Sequence, residues 1–282
     1  MPNEFDEFNA FNQRVIEEFR ANRGRVGGPF EGGRLLLLTT EGARSGRPHT
    51  TPVGYLPDGA ERVLVIASAG GSPRHPAWYH NLLAHPEVTV ESGAFTYRAR
   101  AVPLTGEERD LAFARAVESD PGWAEYQRKT RRVIPVVALY EIGGDGPPNI
   151  NAGSPAEAIK VVHDAFRREL GLLRQEMARQ GPLLGAQLRV NCLTFCHGLH
   201  NHHTGEDLGL FPMVAARSPE AEGALVRLKE EHERIAGLIE ELRAVVDAGD
   251  TESARAEVER LTAELEAHLT YEEEQLIPLL SP

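Results

Sequence analysis

From Ser154 onward, apolar residues recur at alternating spacings of four and three in four successive segments, and every apolar seam carries a histidine. The seams read Ile159, His163, Phe166, Leu170, Leu173, Met177; then Cys192, Phe195, Leu199, His202, Glu206. The third reads Leu225, Leu228, His232, Ile235, Ile239, Leu242, Val246, and the fourth Val258, Leu261, Leu265, His268, Glu272, Leu276. The period is helical, so four stripes must be buried against one another. Helices are expected at about 154–179, 183–206, 219–246 and 252–276, with boundaries at Ser154-Pro155, Gly181-Pro182, Ser218-Pro219 and Pro278. Short connections then make an all-α four-helix bundle.

Four imidazoles and two carboxylates inside one bundle are costly unless something pairs with them. Neutral imidazole and carboxylate are natural ligands of a first-row metal, which would offset that cost. His202/Glu206 and His268/Glu272 stand four apart, so each pair presents both side chains to one face. The segments His202–Pro212 and His268–Pro278 are also copies, sharing His, Thr, Glu, a second acid, Leu and Pro at equal spacing. The expected metal set is His163, His202, Glu206, His232, His268 and Glu272. Six such donors on four long helices favour two non-haem iron ions over one tetrahedral zinc. The register stays open at two places: His203/Asp207 could stand for His202/Glu206, and Glu273 for Glu272. His197 and His200 lie off the seam and read as surface or outer residues, and Cys192 and Cys196 as core thiols.

Before Ser154 the pattern changes to short β-rich runs: Arg34–Thr40, Thr51–Leu56, Arg62–Ala69, Glu87–Glu91, Phe95–Pro103 and Val133–Tyr140. Helices are expected at Phe5–Arg23, Pro76–Ala84 and Gly106–Lys129, the last broken at Pro121-Gly122. Successive strands without βαβ alternation predict a mainly antiparallel barrel with peripheral helices. Gly143–Ser154, punctuated by Gly and Pro, reads as a flexible linker between domains at 1–145 and 155–282, so the fold class is α+β multidomain.

Charge supports this division. Residues 1–150 carry 17 basic and 19 acidic side chains, net −2; residues 151–282 carry 13 and 23, net −10, giving −12 for the chain. The acidic balance argues against nucleic acid as a partner. No apolar run approaches the roughly 18 residues of a membrane span. Two cysteines and an acidic N-terminus unlike a signal peptide make the cytoplasm the expected compartment.

The Thr39–His49 loop, TTEGARSGRPH, offers backbone N–H groups, a hydroxyl and cations suited to a phosphate or carboxylate tail. With VIASAGGSPRHPAWYHNLLAHPEVTVE (from Val65) and WAEYQRKTRRVIPVVAL (from Trp123), it resembles the deazaflavin-dependent nitroreductase family over residues 10–142. The resemblance implies a split β-barrel of the flavin-reductase and pyridoxamine-oxidase kind, with coenzyme F-420 as hydride donor to a small-molecule electron acceptor, a quinone or nitro compound. It implies that Arg44, Ser45, Gly46, His49 and Pro52 bind the cofactor tail and that Ala67, Ser68, Trp78 and Asn81 line its site. Trp123 and Tyr126 would line the substrate pocket, Tyr126 as the catalytic hydrogen-bond donor or as pocket wall. His49 and Ala69 stand where the family commonly has Arg and Lys. Some split barrels dimerise, so a homodimer is possible.

Residues 155–280 resemble the hemerythrin-like HHE cation-binding family, through His163, His202-HTG-Glu206, His232 and His268-LTY-Glu272. That resemblance implies a di-iron site handling O2, peroxide or NO. Classical carriers have two histidines four apart on the third helix, whereas His232 is followed by Ala236. Together the resemblances imply a two-domain oxidoreductase. The alternative is a gas- or iron-sensing binding protein whose barrel is not catalytic.

Overall fold

The computed structural model describes residues 4–143 and 149–280, in two compact units, Met1–Asn151 and Ala152–Pro282. The first unit opens with α1 (Glu4–Ala21), followed by strands β1 (Leu35–Glu41), β2 (Pro48–Pro57) and β3 (Arg62–Ile66). Helix α2 (Ala77–Ala84) leads to β4 (Glu87–Ser92) and β5 (Phe95–Pro103), then to α3 (Gly106–Ser119), α4 (Gly122–Arg128) and β6 (Val136–Glu141). Neighbours run antiparallel in the order β4-β1-β2-β3-β6-β5, and β4 pairs in turn with β5, so six strands close a barrel. Closure leaves these strands no exposed edge.

The run Leu35–Leu38 shows why β1 does not alternate apolar with polar. Leu36 and Leu38 point into the barrel with Val65, Val90, Ala99 and Leu139, whereas Leu35 and Leu37 pack on Val15, Ile16 and Phe19 of α1. A strand buried on both faces reads as a continuous hydrophobic run. Leu64, Ile66, Val136 and Ala138 make a third cluster with Ala112, Phe113 and Ala116 of α3.

Several boundaries depart from the sequence expectation, and β2 begins at Pro48 rather than Thr51. β3 stops at Ile66 because Ala69, Gly70 and Gly71 adopt φ of 47°, 63° and 84° and turn the chain. A Cβ on Gly71 would lie 2.8 Å from the Tyr126 carbonyl oxygen and from Lys129 Cβ, so only glycine fits there. β6 begins only at Val136, after Pro135, which has no N–H to give to a ladder. The supposed linker is partly barrel: Asn149–Ile150 (β7) pairs with Thr96 and Phe95 of β5. Residues 144–148 of that stretch lie outside the described residues.

The second unit contains α5 (Pro155–Ala178), α6 (Ala186–Gly205), α7 (Phe211–Arg217), α8 (Glu222–Ala248) and α9 (Thr251–Leu280). Ser154 caps α5, accepting from the Glu157 N–H at 3.1 Å. The second expected helix is a composite: α6 passes through a π-helical turn, Glu206–Leu210, into α7, where Pro212 sits in the first turn. The last helix runs beyond its expected end and includes Pro278. Apolar residues form two layers along the helices. Phe195, Leu199, Ile235, Leu265 and Leu269 belong to a large cluster on one side, and Ile159, Phe211, Leu225, Leu228 and Leu276 to a smaller one on the other. The polar side chains described next lie between these layers on α5, α8 and α9.

Candidate functional site

His163, His203, Glu206, His232, His268 and Glu272 are all buried, and His202 is nearly so. One donor atom from each of His163, His202, Glu206 and Glu272 lies within 4.8 Å of the others, and the same holds for His203, His232 and His268. The glutamates stand between these groups. Glu206 Oε1 is 3.3 Å from His202 Nε2 and its Oε2 is 3.6 Å from His232 Nε2. Glu272 Oε2 is 3.4 Å from His163 Nε2 and 3.6 Å from His268 Nε2.

Three imidazoles are held from behind. His163 Nδ1 donates to Glu273 Oε1 at 2.9 Å, His232 Nδ1 to Asp207 Oδ1 at 3.0 Å, and His268 Nδ1 to Glu231 Oε2 at 3.0 Å. A carboxylate can only accept, so each Nδ1 donates to it and each Nε2 points inward, where the neutral ring offers a lone pair. Arginines anchor two of these carboxylates: Arg167 Nη1 donates to Glu273 at 2.7 Å and Arg227 Nε to Glu231 at 2.8 Å. Burial works against charge on Glu231, but Arg227 and His268 outweigh it and hold its carboxyl below the usual range.

The inward atoms have no hydrogen-bond partner. These are Nε2 of His163, His202, His203, His232 and His268, Oε2 of Glu206, and both oxygens of Glu272. A buried unsatisfied polar group costs about 1–3 kcal/mol, so such a convergence needs a ligand. Burial and the neighbouring Glu272 push the Glu206 carboxyl well above its usual range. Burial, followed by the nearby His163, pushes His202 down to about 3, and burial with His232 lowers His203 as well. Imidazoles facing two carboxylates are the donor set of a cation site, and the residues fit the metal that the fold implies.

In the barrel the expected Thr39–His49 loop is a hairpin: its ends belong to β1 and β2, and its turn, Gly42–Arg47, is fastened to α2. Asn81 Oδ1 accepts from the Ala43 N–H at 3.1 Å, and Asn81 Nδ2 donates to Thr40 Oγ1 at 3.0 Å. A Cβ on Gly42 would collide with Ser45 Oγ and approach His49 Nε2 to 2.9 Å. Ser45 Oγ and His49 Nε2 are themselves 3.3 Å apart. Arg44, Ser45, Gly46 and His49 are exposed, so a guanidinium and a hydroxyl stand ready for an anionic group, and the loop fits an anionic cofactor tail.

A second cluster surrounds the turn after β3. Arg132 donates to the carbonyls of Ala67 at 3.0 Å, Ser68 at 2.7 Å and Ser72 at 2.9 Å, and its Nη1 lies 3.0 Å from His75 Nδ1. His75 in turn lies against Tyr79 of α2, ring centroids 4.9 Å apart.

Residues 12–141 match the F420H(2)-dependent quinone reductase family, and residues 154–280 match the hemerythrin HHE cation binding domain. An F420H(2)-dependent quinone reductase of Mycobacterium tuberculosis is 38% identical over 125 residues, 43% of this chain and 83% of the relative. The chain belongs to the F420H(2)-dependent quinone reductase family. Its second half is a hemerythrin HHE domain. A solved F420-H2 dependent reductase is 40% identical and covers 38% of this chain and 93% of its own, with a TM-score of 0.35. A solved structure described as a domain-swapped dimer is 34% identical, covering 49% of this chain and 99% of its own, with a TM-score of 0.37.

Within the reductase domain, the expected cofactor residues fall into distinct settings. Arg44–His49 and Asn81 form the fastened loop, with Pro52 half-buried on β2 opposite Leu37. Ala67 and Ser68 belong to the Arg132 cluster. Trp78 is 6% exposed and packs into the barrel core with Leu82 and Val90, so most of its indole serves the fold. Tyr126 is half-buried, its ring edge-on to Trp123 at 5.9 Å, and both pack against the cluster containing Ile66 and Ile134. Replacing Asn81 with alanine removes both fastenings of the loop. Deazaflavin affinity, read by fluorescence titration, should fall about 5- to 30-fold, the equivalent of one or two hydrogen bonds.

In the hemerythrin domain both register alternatives find a place beside the first choice. His203 joins the inward group together with His202, while Asp207 and Glu273 stand behind histidines. His197 and His200 are exposed, and His197 Nε2 accepts from Asn201 at 2.9 Å. His232→Ala should therefore lower metal content sharply, and His197→Ala should leave it unchanged; equal losses by elemental analysis would contradict the placement. Cys192 and Cys196 are buried, and burial pushes the Cys196 thiol up to about 11, so it packs as an apolar group. Glu231 and Arg132 were not singled out from the sequence. Each is one charged residue among many, and only tertiary contact gives it a role.

Proposed function

We propose that the chain is a two-domain oxidoreductase whose barrel passes a hydride from reduced coenzyme F-420 to a quinone-type or nitro acceptor. In the same reading its bundle holds two iron ions that handle O2, peroxide or NO. The single observation that carries the second half is the convergence of buried, unpartnered imidazole and carboxylate atoms. Family membership and the fastened Thr39–His49 loop support the first half.

When bound, the deazaflavin supplies a hydride, and no side chain needs to act as a covalent catalyst. The chain's own part is to bind and orient. Arg44 and the Ser45 hydroxyl would hold the anionic tail, with Pro52 beside them, while Asn81 keeps their loop in shape. Ala67 and Ser68 would line the ring site on a turn that Arg132 fixes, with Trp78 behind it. Tyr126 would donate a hydrogen bond from its phenolic O–H to the acceptor. In the bundle, His163, His202, His232 and His268 would bind metal, with Glu206 and Glu272 between the two positions. When bound, two irons supply one-electron redox chemistry. No helix among the described residues is long and apolar enough to cross a membrane.

The test is anaerobic oxidation of reduced F-420 by the full chain with a quinone acceptor, followed optically. Turnover is expected, with no comparable turnover when reduced flavin mononucleotide replaces F-420. Arg44→Ala should weaken F-420 binding by about 1–3 kcal/mol, the range for a charge-assisted contact. Saturable flavin mononucleotide binding without F-420 binding would overturn the cofactor assignment.

A further inference from the structure

We propose that His203 is a metal ligand alongside His202, so that two adjacent residues of α6 supply the two different metal positions. The proposal rests on the two-metal reading above. Successive residues of an α-helix point about 100° apart, so neighbouring side chains seldom serve one site. Here they diverge into the two halves of one buried cluster. The His202 ring lies 5.6 Å from that of His163, whereas the His203 ring lies 4.1 Å from His232 and 5.1 Å from His268.

Three observations separate this from an ordinary core histidine. His203 is 5% exposed, and its Nε2 has no hydrogen-bond partner. A donor atom of His203 falls within 4.8 Å of those of His232 and His268, closing a triad of imidazoles from three helices. The His203 and His232 rings are parallel to within 9°, an arrangement that places two neutral rings side by side. A packing histidine would satisfy its second nitrogen with a backbone or side-chain partner. This one presents it to the same space as its two neighbours.

Glu206 connects the halves, since one oxygen faces His202 and the other His232. One metal position therefore has His163 and His202, and the other has His203, His232 and His268, with Glu206 and Glu272 between them. The histidine-rich position depends on His203 for its third nitrogen. No second histidine one turn along α8 supplies it, because Ala236 stands there.

The test uses the full chain, loaded anaerobically with ferrous iron, desalted, and analysed for metal per chain. His203→Phe keeps an aromatic ring against His232 but removes the donor, and His203→Gln keeps a polar side chain of similar reach. Wild-type protein should hold two ions and both variants about one, with the far-UV circular dichroism of the metal-free forms unchanged. The exposed His200→Ala control should hold two. Should the phenylalanine variant fail to fold, the glutamine variant decides. Variants that hold two ions with wild-type resistance to a chelator would overturn the role of His203 and leave the two-metal reading intact. Wild-type protein holding fewer than two ions would overturn that reading, and His203's role with it.

Discussion

Glu272→Ala should empty the bundle of both metal ions, leaving well under one ion per chain after anaerobic iron loading. Glu272 is 0% exposed, and its Oε2 lies 3.4 Å from His163 Nε2 and 3.6 Å from His268 Nε2. It therefore stands between histidines of both positions, and its removal takes a donor from each. The cut also removes the negative charge that favours the cations. Burial opposes that charge, but His163, Glu206 and His202 around the carboxyl hold Glu272 at about 2. The neighbouring Glu273 provides the contrast. It stands behind His163 and is bound by Arg167, so Glu273→Gln should keep both ions at saturating iron. Its affinity should fall about 10- to 100-fold, the usual effect of losing a carboxylate that orients a histidine ligand. Elemental analysis and chelator competition read the two effects separately.

Stripping the metal should lower the thermal midpoint of the helical signal by roughly 10–20 °C. A ligand at a thousand times its dissociation constant stabilises by about 4 kcal/mol, and each kcal/mol moves the midpoint of a domain this size by several degrees. The cost of the empty state has a visible origin, since five imidazole nitrogens and three carboxyl oxygens are then buried without hydrogen-bond partners. Protons should partly take the place of the ions. Glu206 is raised well above the usual carboxyl range by burial and Glu272. Burial disfavours charge on His163, but Glu272 and Glu273 outweigh it and raise its pKa. Both groups must lose a proton to bind metal, so binding should release protons and affinity should fall as pH is lowered through neutrality. Circular dichroism melts with and without chelator, and proton uptake on chelation, check both. An unchanged midpoint would mean that the cluster is satisfied without metal.

Much of the bundle was legible because helical period and ligand spacing coincide. His163, His232 and His268 each interrupt an otherwise apolar seam, so their burial follows from position alone. The choice between His202 and His203 did not follow, because a seam admits one residue per turn and the sequence offered two. What the seam could not register is a site with two halves, into which adjacent residues diverge. The π-helical turn at Glu206–Leu210 was equally hidden. The two motifs are copies in sequence, yet α6 gives way at Glu206 while α9 runs on past Pro278. In the barrel, the strand pattern announced six strands, whereas the burial of Leu35–Leu38 on both faces emerges only from the packing of α1 against β1. The closing contact of β4 with β5 joins segments adjacent in sequence and was within reach. The pairing of β7 with β5 was not, because Asn149–Ile150 sits in a stretch whose glycines and prolines argue for a loop. Arg132 reads as one of several basic residues in a row, and its hold on Ala67, Ser68 and Ser72 depends on contacts some sixty residues apart.

The most direct measurement is the iron content of this two-domain chain after anaerobic loading and desalting, with Mössbauer spectra of the iron-57 form. Two irons per chain are predicted, in two distinguishable environments, both lost in Glu272→Ala. One tightly held zinc per chain, or no retained metal at all, would contradict the dinuclear centre.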